Sequence, residues 1–98
     1  MNKINLNLQA VELPQAWRSS VVGKAADATI KVLRMDGSAY PDEVHPFDEA
    51  LLVLEGQMNL DIRGQVIKVV AGELIIVPAG QPHAVAPGSH GTLVIVDK

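Results

Sequence analysis

From residue 28 onward the chain is a succession of short aliphatic runs cut apart by glycine, proline and charged residues. Runs this short, rich in Val and Ile and closed by turn formers, fold as strands of an antiparallel sandwich or barrel. Seven strands are predicted: 28–35, 50–55, 58–62, 65–70, 74–78, 83–86 and 92–97. Arg63-Gly64 alone separates the third from the fourth, which is the form of a tight hairpin turn, so those two should be antiparallel neighbours. No helical period survives beyond residue 30. Upstream, AVELPQAWRSSVVGKAA (10–26) is ambiguous, with Pro14 suited to a helix start and Trp17 as its one large anchor. It reads as an irregular arm or short helix laid over the sheet. The expected organisation is one domain, with residues 1–27 as an N-terminal arm and 28–98 as an all-β barrel.

Composition narrows the chemistry. Of 98 residues 48% are hydrophobic, with one Trp, one Tyr and one Phe, so the core must be built from Val, Ile, Leu and Ala. With no cysteine, disulfides, thiolate zinc sites and cysteine nucleophiles are excluded, and any metal must be held by His and carboxylates. A net charge of −3 without a Lys/Arg cluster lacks the footprint of a nucleic-acid binder. The first residues interleave polar and apolar side chains unlike a secretory leader, and no apolar run is long enough to span a bilayer. A soluble, cytoplasmic protein with no membrane partner is the expectation. Neither a G-x-S-x-G nucleophile motif nor a phosphate-binding Gly-rich loop is present.

One stretch concentrates ligand side chains. EVHPFDEALLVLEG (43–56) sets Glu43, His45 and Glu49 ahead of an apolar run. Alternation along a strand would direct these three to one face and Asp48 to the other. A second stretch, AGELIIVPAGQPH (71–83), brings a strand to a Pro/Gly turn and then presents His83. The Pro78–Pro82 turn is expected to be rigid, because proline fixes φ twice and Gly80 can adopt angles closed to other residues. Two imidazoles and two carboxylates could thus meet. The plainer reading is that the histidines hydrogen-bond in the rim and Glu43 is a surface acid. His90, in PGSHG, reads as a solvated loop residue.

The spacing Gly37-x5-Glu43-x-His45-x3-Glu49-x6-Gly56 resembles the first motif of the cupin superfamily, G-x5-H-x-H-x3/4-E-x6-G, with Glu43 where the first His is usual. Gly72-x5-Pro78-x-Gly80-x2-His83 resembles the second, with Pro87 in place of its final Asn. The general character is similar to small single-domain cupins described as mannose-6-phosphate isomerase-like or RmlC-like. The resemblance implies a double-stranded β-helix, or jelly-roll, barrel in which His45, Glu49 and His83 are metal ligands and Glu43 is either a fourth ligand or a catalytic base. Two imidazoles and a carboxylate suit a divalent Mn, Fe, Ni or Zn ion with open positions. If Glu43 also binds, two carboxylates cancel the ion's charge, and the site attracts anionic substrates less.

Two functions follow. One is metal-assisted isomerase, lyase or dioxygenase chemistry on a small oxygenated metabolite, such as a sugar derivative or keto acid. The other is a non-catalytic small-molecule binding or sensor barrel with a degenerate metal site. Because ALLVL (50–54) is apolar at both parities, its outer face needs a cover. A homodimer, which the resemblance also implies, or the N-terminal arm would supply it.

Overall fold

A computed structural model describes residues 1–98. One short helix, α1 (Leu6–Glu12), precedes eight strands: β1 (Ser20–Ala25), β2 (Ala28–Asp36), β3 (Tyr40–Glu43), β4 (Glu49–Ile62), β5 (Gln65–Val70), β6 (Leu74–Val77), β7 (His83–Val85) and β8 (His90–Asp97). All strand pairings are antiparallel, in the order β1-β2-β8-β4-β7-β3, with β5 and β6 also paired to β4. The long strand β4 therefore touches four others, and the sheet curls round it into an all-β jelly-roll barrel.

The helix lies upstream of Pro14, not after it. The Asn5 side chain accepts a hydrogen bond from Leu8 N at 3.0 Å and caps the helix start. Pro14 disfavours helical backbone at Leu13, which is extended (φ −64°, ψ 135°), so the helix stops there. Strands β1 and β3 were not among the seven expected: β3 is only four residues long with Pro41 among them, and the β1 hairpin carries no glycine. Ala26 and Asp27 both take positive φ (50° and 62°), the form of a type I′ turn usually written with Asn and Gly. The Arg63-Gly64 hairpin forms as expected, with β4 and β5 in register from Gln57↔Val70 to Ile62↔Gln65. The predicted strands 50–55 and 58–62 are one strand, bulged between Val53 and Glu55.

Alternation divides each strand between an interior and an outer face. Leu33, Met35, Leu51, Val53, Met58, Leu60, Val69, Val77, Leu93 and Ile95 form the aliphatic core. On the outer face, Val32, Val94, Leu52 and Leu74 line up across β2, β8, β4 and β6. Helix α1 packs on β2 and β8, burying Ala10 and leaving Val32 with no exposure and Val94 with 4%. Arg34 ties it down, its Nη1 donating to the carbonyls of Ala10 and Leu13, both at 2.8 Å. The arm thus covers one half of the outer face. The β6 half stays open, with Leu74 57% and Ile76 61% exposed.

Candidate metal centre

Three strands and one loop bring the four expected residues together. Glu43 ends β3 directly across from His83, the first residue of β7. Glu49 opens β4, where it pairs with Val77 of β6. His45 lies in the loop between β3 and β4, just ahead of the bend at Pro46 and Phe47, so no continuous strand carries the alternation from Glu43 to Glu49. That loop is held from the other side: Gly80 N donates to His45 O at 2.8 Å, and Ala79 N donates to the Asp48 carboxylate at 2.9 Å. Asp48 points away from the cluster, as its parity suggested, and serves the Pro78–Pro82 turn. The turn therefore positions His45 as well as His83.

The donor atoms lie close together: Glu43, His45 and His83 form a mutually close set, and Glu49 contacts both histidines. His83 Nε2 lies 3.1 Å from Glu49 Oε1, and His45 Nε2 lies 3.7 Å from Glu49 Oε2 and 3.6 Å from Glu43 Oε2. Glu43, His45 and His83 each offer a ligand atom within 4.8 Å of the other two. On the far side of its ring, His83 Nδ1 faces the carbonyl of Gln81 at 2.9 Å, which fixes the ring and leaves Nε2 for the cluster. His45 is held in turn by Phe47, stacked on it at 5.1 Å with ring planes 5° apart. Yet His45 Nε2 is buried with no hydrogen-bond partner.

An orphaned ring nitrogen among carboxylates tests whether these residues suit an ion. Donors that share a cation at about 2.1 Å stand about 3 to 4 Å from one another. The contacts at His45 fall in that range and exceed hydrogen-bonding distance. Nitrogen and oxygen donors without sulfur suit Mn, Fe, Ni or Zn, so the residues fit a divalent transition metal. Burial raises the pKa of Glu49, against the opposing pull of His45 and His83.

The cluster opens into a cavity of about 170 Å³. Below this cluster its wall is aliphatic, with Leu33, Leu51, Leu60 and Ile95. Lys31 and Asp97, given no part in the expected site, also line it, with Lys31 Nζ 3.0 Å from Asp97 Oδ1 and 3.1 Å from Oδ2. A usable signal existed: Lys31 has the parity of Leu33 and Met35, and Asp97 that of Leu93 and Ile95, so each is a charge on an inward face. Tyr40 and Trp17 stand at the same cavity, and the charge of Glu43 raises the Tyr40 pKa above its ordinary value. His90 lies exposed on the first residue of β8, opposite Asp36 and away from this cluster.

A family model described as a cupin domain matches residues 32–97. Over 60 residues the chain is 35% identical to quercetin 2,3-dioxygenase of Bacillus subtilis, a match covering 60% of this chain but 18% of that protein. Among solved structures, a cupin-2 domain protein of Shewanella frigidimarina superposes with a TM-score of 0.85 at 26% identity, over 95% of this chain and 91% of the other. A Neisseria meningitidis protein superposes at 0.83 with 22% identity, over 98% of both chains, and shares the fold.

Proposed function

This chain belongs to the cupin domain family, and from that premise we propose that it binds one divalent transition-metal ion and acts on a small oxygenated metabolite in the adjoining cavity. His45, Glu49 and His83 hold the ion, with Glu43 as a fourth ligand or as the catalytic base. The observation that carries this is the buried, unpartnered His45 Nε2 facing two carboxylates. Without a cation those carboxylates oppose each other; with one, their charges are balanced.

When bound, such an ion supplies Lewis acidity toward a ligand oxygen. The protein's own groups do the rest. Glu43, whose side chain is 38% exposed against 8% for Glu49, is the carboxylate best placed to take a proton from a ligand. Tyr40, its hydroxyl kept protonated by the neighbouring charge of Glu43, remains a neutral donor. Leu33, Leu51 and Ile95 keep water from the ligand's apolar part. The chain's partial likeness to a dioxygenase supports oxygen chemistry as one member of the class; isomerase and lyase chemistry use the same parts.

Elemental analysis of untagged protein is the test. One equivalent of Mn, Fe, Ni or Zn, lost in His45→Ala and His83→Ala but kept in His90→Ala, is expected. A protein that stays metal-free after reconstitution with each ion has a degenerate site and is a binding or sensor barrel. Metal with no turnover across a panel of sugar derivatives, keto acids and phenols points to the same non-catalytic role.

The partner in this proposal is a second copy. The open half of the outer face, with Leu54, Leu74 and Ile76 at 36%, 57% and 61% exposure, is the part that the N-terminal arm leaves uncovered. Sedimentation should show a dimer that Leu74→Glu with Ile76→Glu dissociates; a monomer at micromolar concentration removes this element of the proposal.

A further inference from the structure

The chain has three aromatic side chains, and all three line one cavity. Trp17, Tyr40 and Phe47 stand round the pocket that reaches the proposed metal ligands, whereas none of the ten buried residues of the core is aromatic. Phe47 is occupied by His45. Trp17 is pinned as a wall: its backbone N donates to Arg34 O at 2.9 Å, its indole Nε1 donates to Asp36 Oδ1 at 2.7 Å and Ser38 Oγ at 2.9 Å, and its ring meets Tyr40 at 5.6 Å. It does so at φ 67°, a region that a bulky residue enters only with strain, and these bonds hold it there. Its ring also packs against the aliphatic core.

One lysine and no arginine line the cavity. Lys31 Nζ is bound by Asp97, whose side chain is 2% exposed, while Lys31 remains 25% exposed. Only Asp97 Oδ2 lies in hydrogen-bonding geometry. An ammonium has three N–H groups, so Lys31 keeps donors to spare. Its charge is balanced by Asp97, which favours a neutral or phenolic oxygen as acceptor. A full carboxylate would have to approach Asp97, Glu43 and Glu49 as well.

We propose that Trp17, Tyr40 and Lys31 form the ligand-selecting side of the pocket, and that they select a single planar ring bearing an oxygen. The ring's face lies against Trp17 and Tyr40, its oxygen accepts a hydrogen bond from Lys31, and Asp97 is the positioning residue for Lys31. The volume suits one ring. At about 170 Å³ the cavity is close to the roughly 150 Å³ of an engineered apolar cavity that takes up benzene. A fused three-ring compound would have to protrude. This inference rests on the cavity being the ligand site proposed above, and it names the class of ligand.

Phenol and cyclohexanol, alike in size and oxygen count but different in flatness, are the probes. Each is titrated calorimetrically into the protein with excess Zn(II) and again in chelator. Phenol should bind at least about tenfold more tightly than cyclohexanol in both conditions. Trp17→Leu should abolish that preference. Because Lys31→Met alone would strand a buried carboxylate, the donor is removed as Lys31→Met with Asp97→Leu, which should weaken phenol about tenfold. Lys31→Arg should restore most of the loss, and zinc uptake should stay at one equivalent throughout. Equal affinity for the two probes, or undiminished phenol binding in the double variant, overturns the proposal even if zinc is bound. A flat-ring preference in a protein that takes up no metal upholds it and overturns the metal reading instead.

Discussion

The two ends of the barrel are built by the same strands and obey opposite rules. At one end β4 begins with Glu49, β7 with His83 and β8 finishes with Asp97, all buried and all polar. At the other end β4 meets β8 at Gly56↔Gly91, and Val53 and Met35 are all but fully buried. The closed end has no spare space: a Cβ on Gly56 would come within 2.0 Å of the His90 carbonyl, and one on Gly91 within 2.0 Å of the Glu55 carbonyl. The open end has a cavity, an orphaned nitrogen and a carboxylate whose pKa burial has raised. Close packing gives one end its stability. The other end gives up stability for a site, and the contrast can be pressed experimentally.

The largest effect belongs to the closed end. Gly56→Ala must push β4 and β8 apart, since the obstacle is backbone and cannot rotate away. A loss of about 4 kcal/mol or more is expected, in the range reserved for severe core defects. Denaturant titration checks it. A loss under about 1 kcal/mol would show that the two strands separate easily and that this end is not the rigid one.

Next comes the open end, where the sign should reverse. Glu49→Gln removes a buried charge that the metal-free fold tolerates poorly, so in chelator the variant should melt at or above the temperature of the parent near neutral pH. Its metal affinity should fall by more than the roughly 10- to 100-fold seen when an outer partner of a ligand is lost. Melting curves with and without Zn(II) separate the two quantities. A variant much less stable than the parent in chelator would mean that Glu49 is a structural residue first.

The pH dependence sharpens the same point with a smaller effect. Glu49 has a folded-state pKa above its ordinary value. In the window between that ordinary value and the raised one, the native state binds more protons than the unfolded chain. Metal-free stability contributed by this group is therefore present at lower pH and is lost as pH rises through the raised pKa. Metal binding requires the carboxylate, so stabilisation by Zn(II) should increase over the same window. Thermal melts from pH 4 to 8, with chelator and with zinc, should diverge as pH rises. Parallel curves would remove Glu49 from the ligand set.

How much of this contrast could be read beforehand depends on how local each feature is. The strand runs and the Arg63-Gly64 hairpin were legible because turn chemistry and side-chain alternation are written in adjacent residues. Strand β1 was not, because Ala26 and Asp27 make a positive-φ turn without glycine. The cluster of Glu43, His45, Glu49 and His83 could be expected from spaced motifs, yet the strand-alternation argument for it was incomplete: His45 reaches the others from a loop braced by Gly80. Lys31 and Asp97 lie 66 positions apart, and only the register of β2 on β8 shows that they meet.

Gly80 and Gly56 make the comparison at its finest. Their φ values are 80° and 81°, so alanine meets the same backbone penalty at both, about 1 to 2 kcal/mol. What differs is room: nothing lies within 4 Å of a Cβ built on Gly80. Gly80→Ala should therefore lose about 1 kcal/mol of stability against the much larger loss at Gly56, with Gln65→Ala near zero at an exposed site. Its second effect should be on the site. The Gly80 amide holds the His45 carbonyl at 2.8 Å, so a shifted turn moves His45 and weakens metal binding by a few-fold. Competition with a chelating dye measures that affinity. A Gly80→Ala protein with parental affinity would show that Phe47 and the Asp48 link to Ala79 suffice to aim the ring. Weakened binding with near-parental stability would locate the turn's value in positioning, which the closed end, where fit and stability are one property, cannot show.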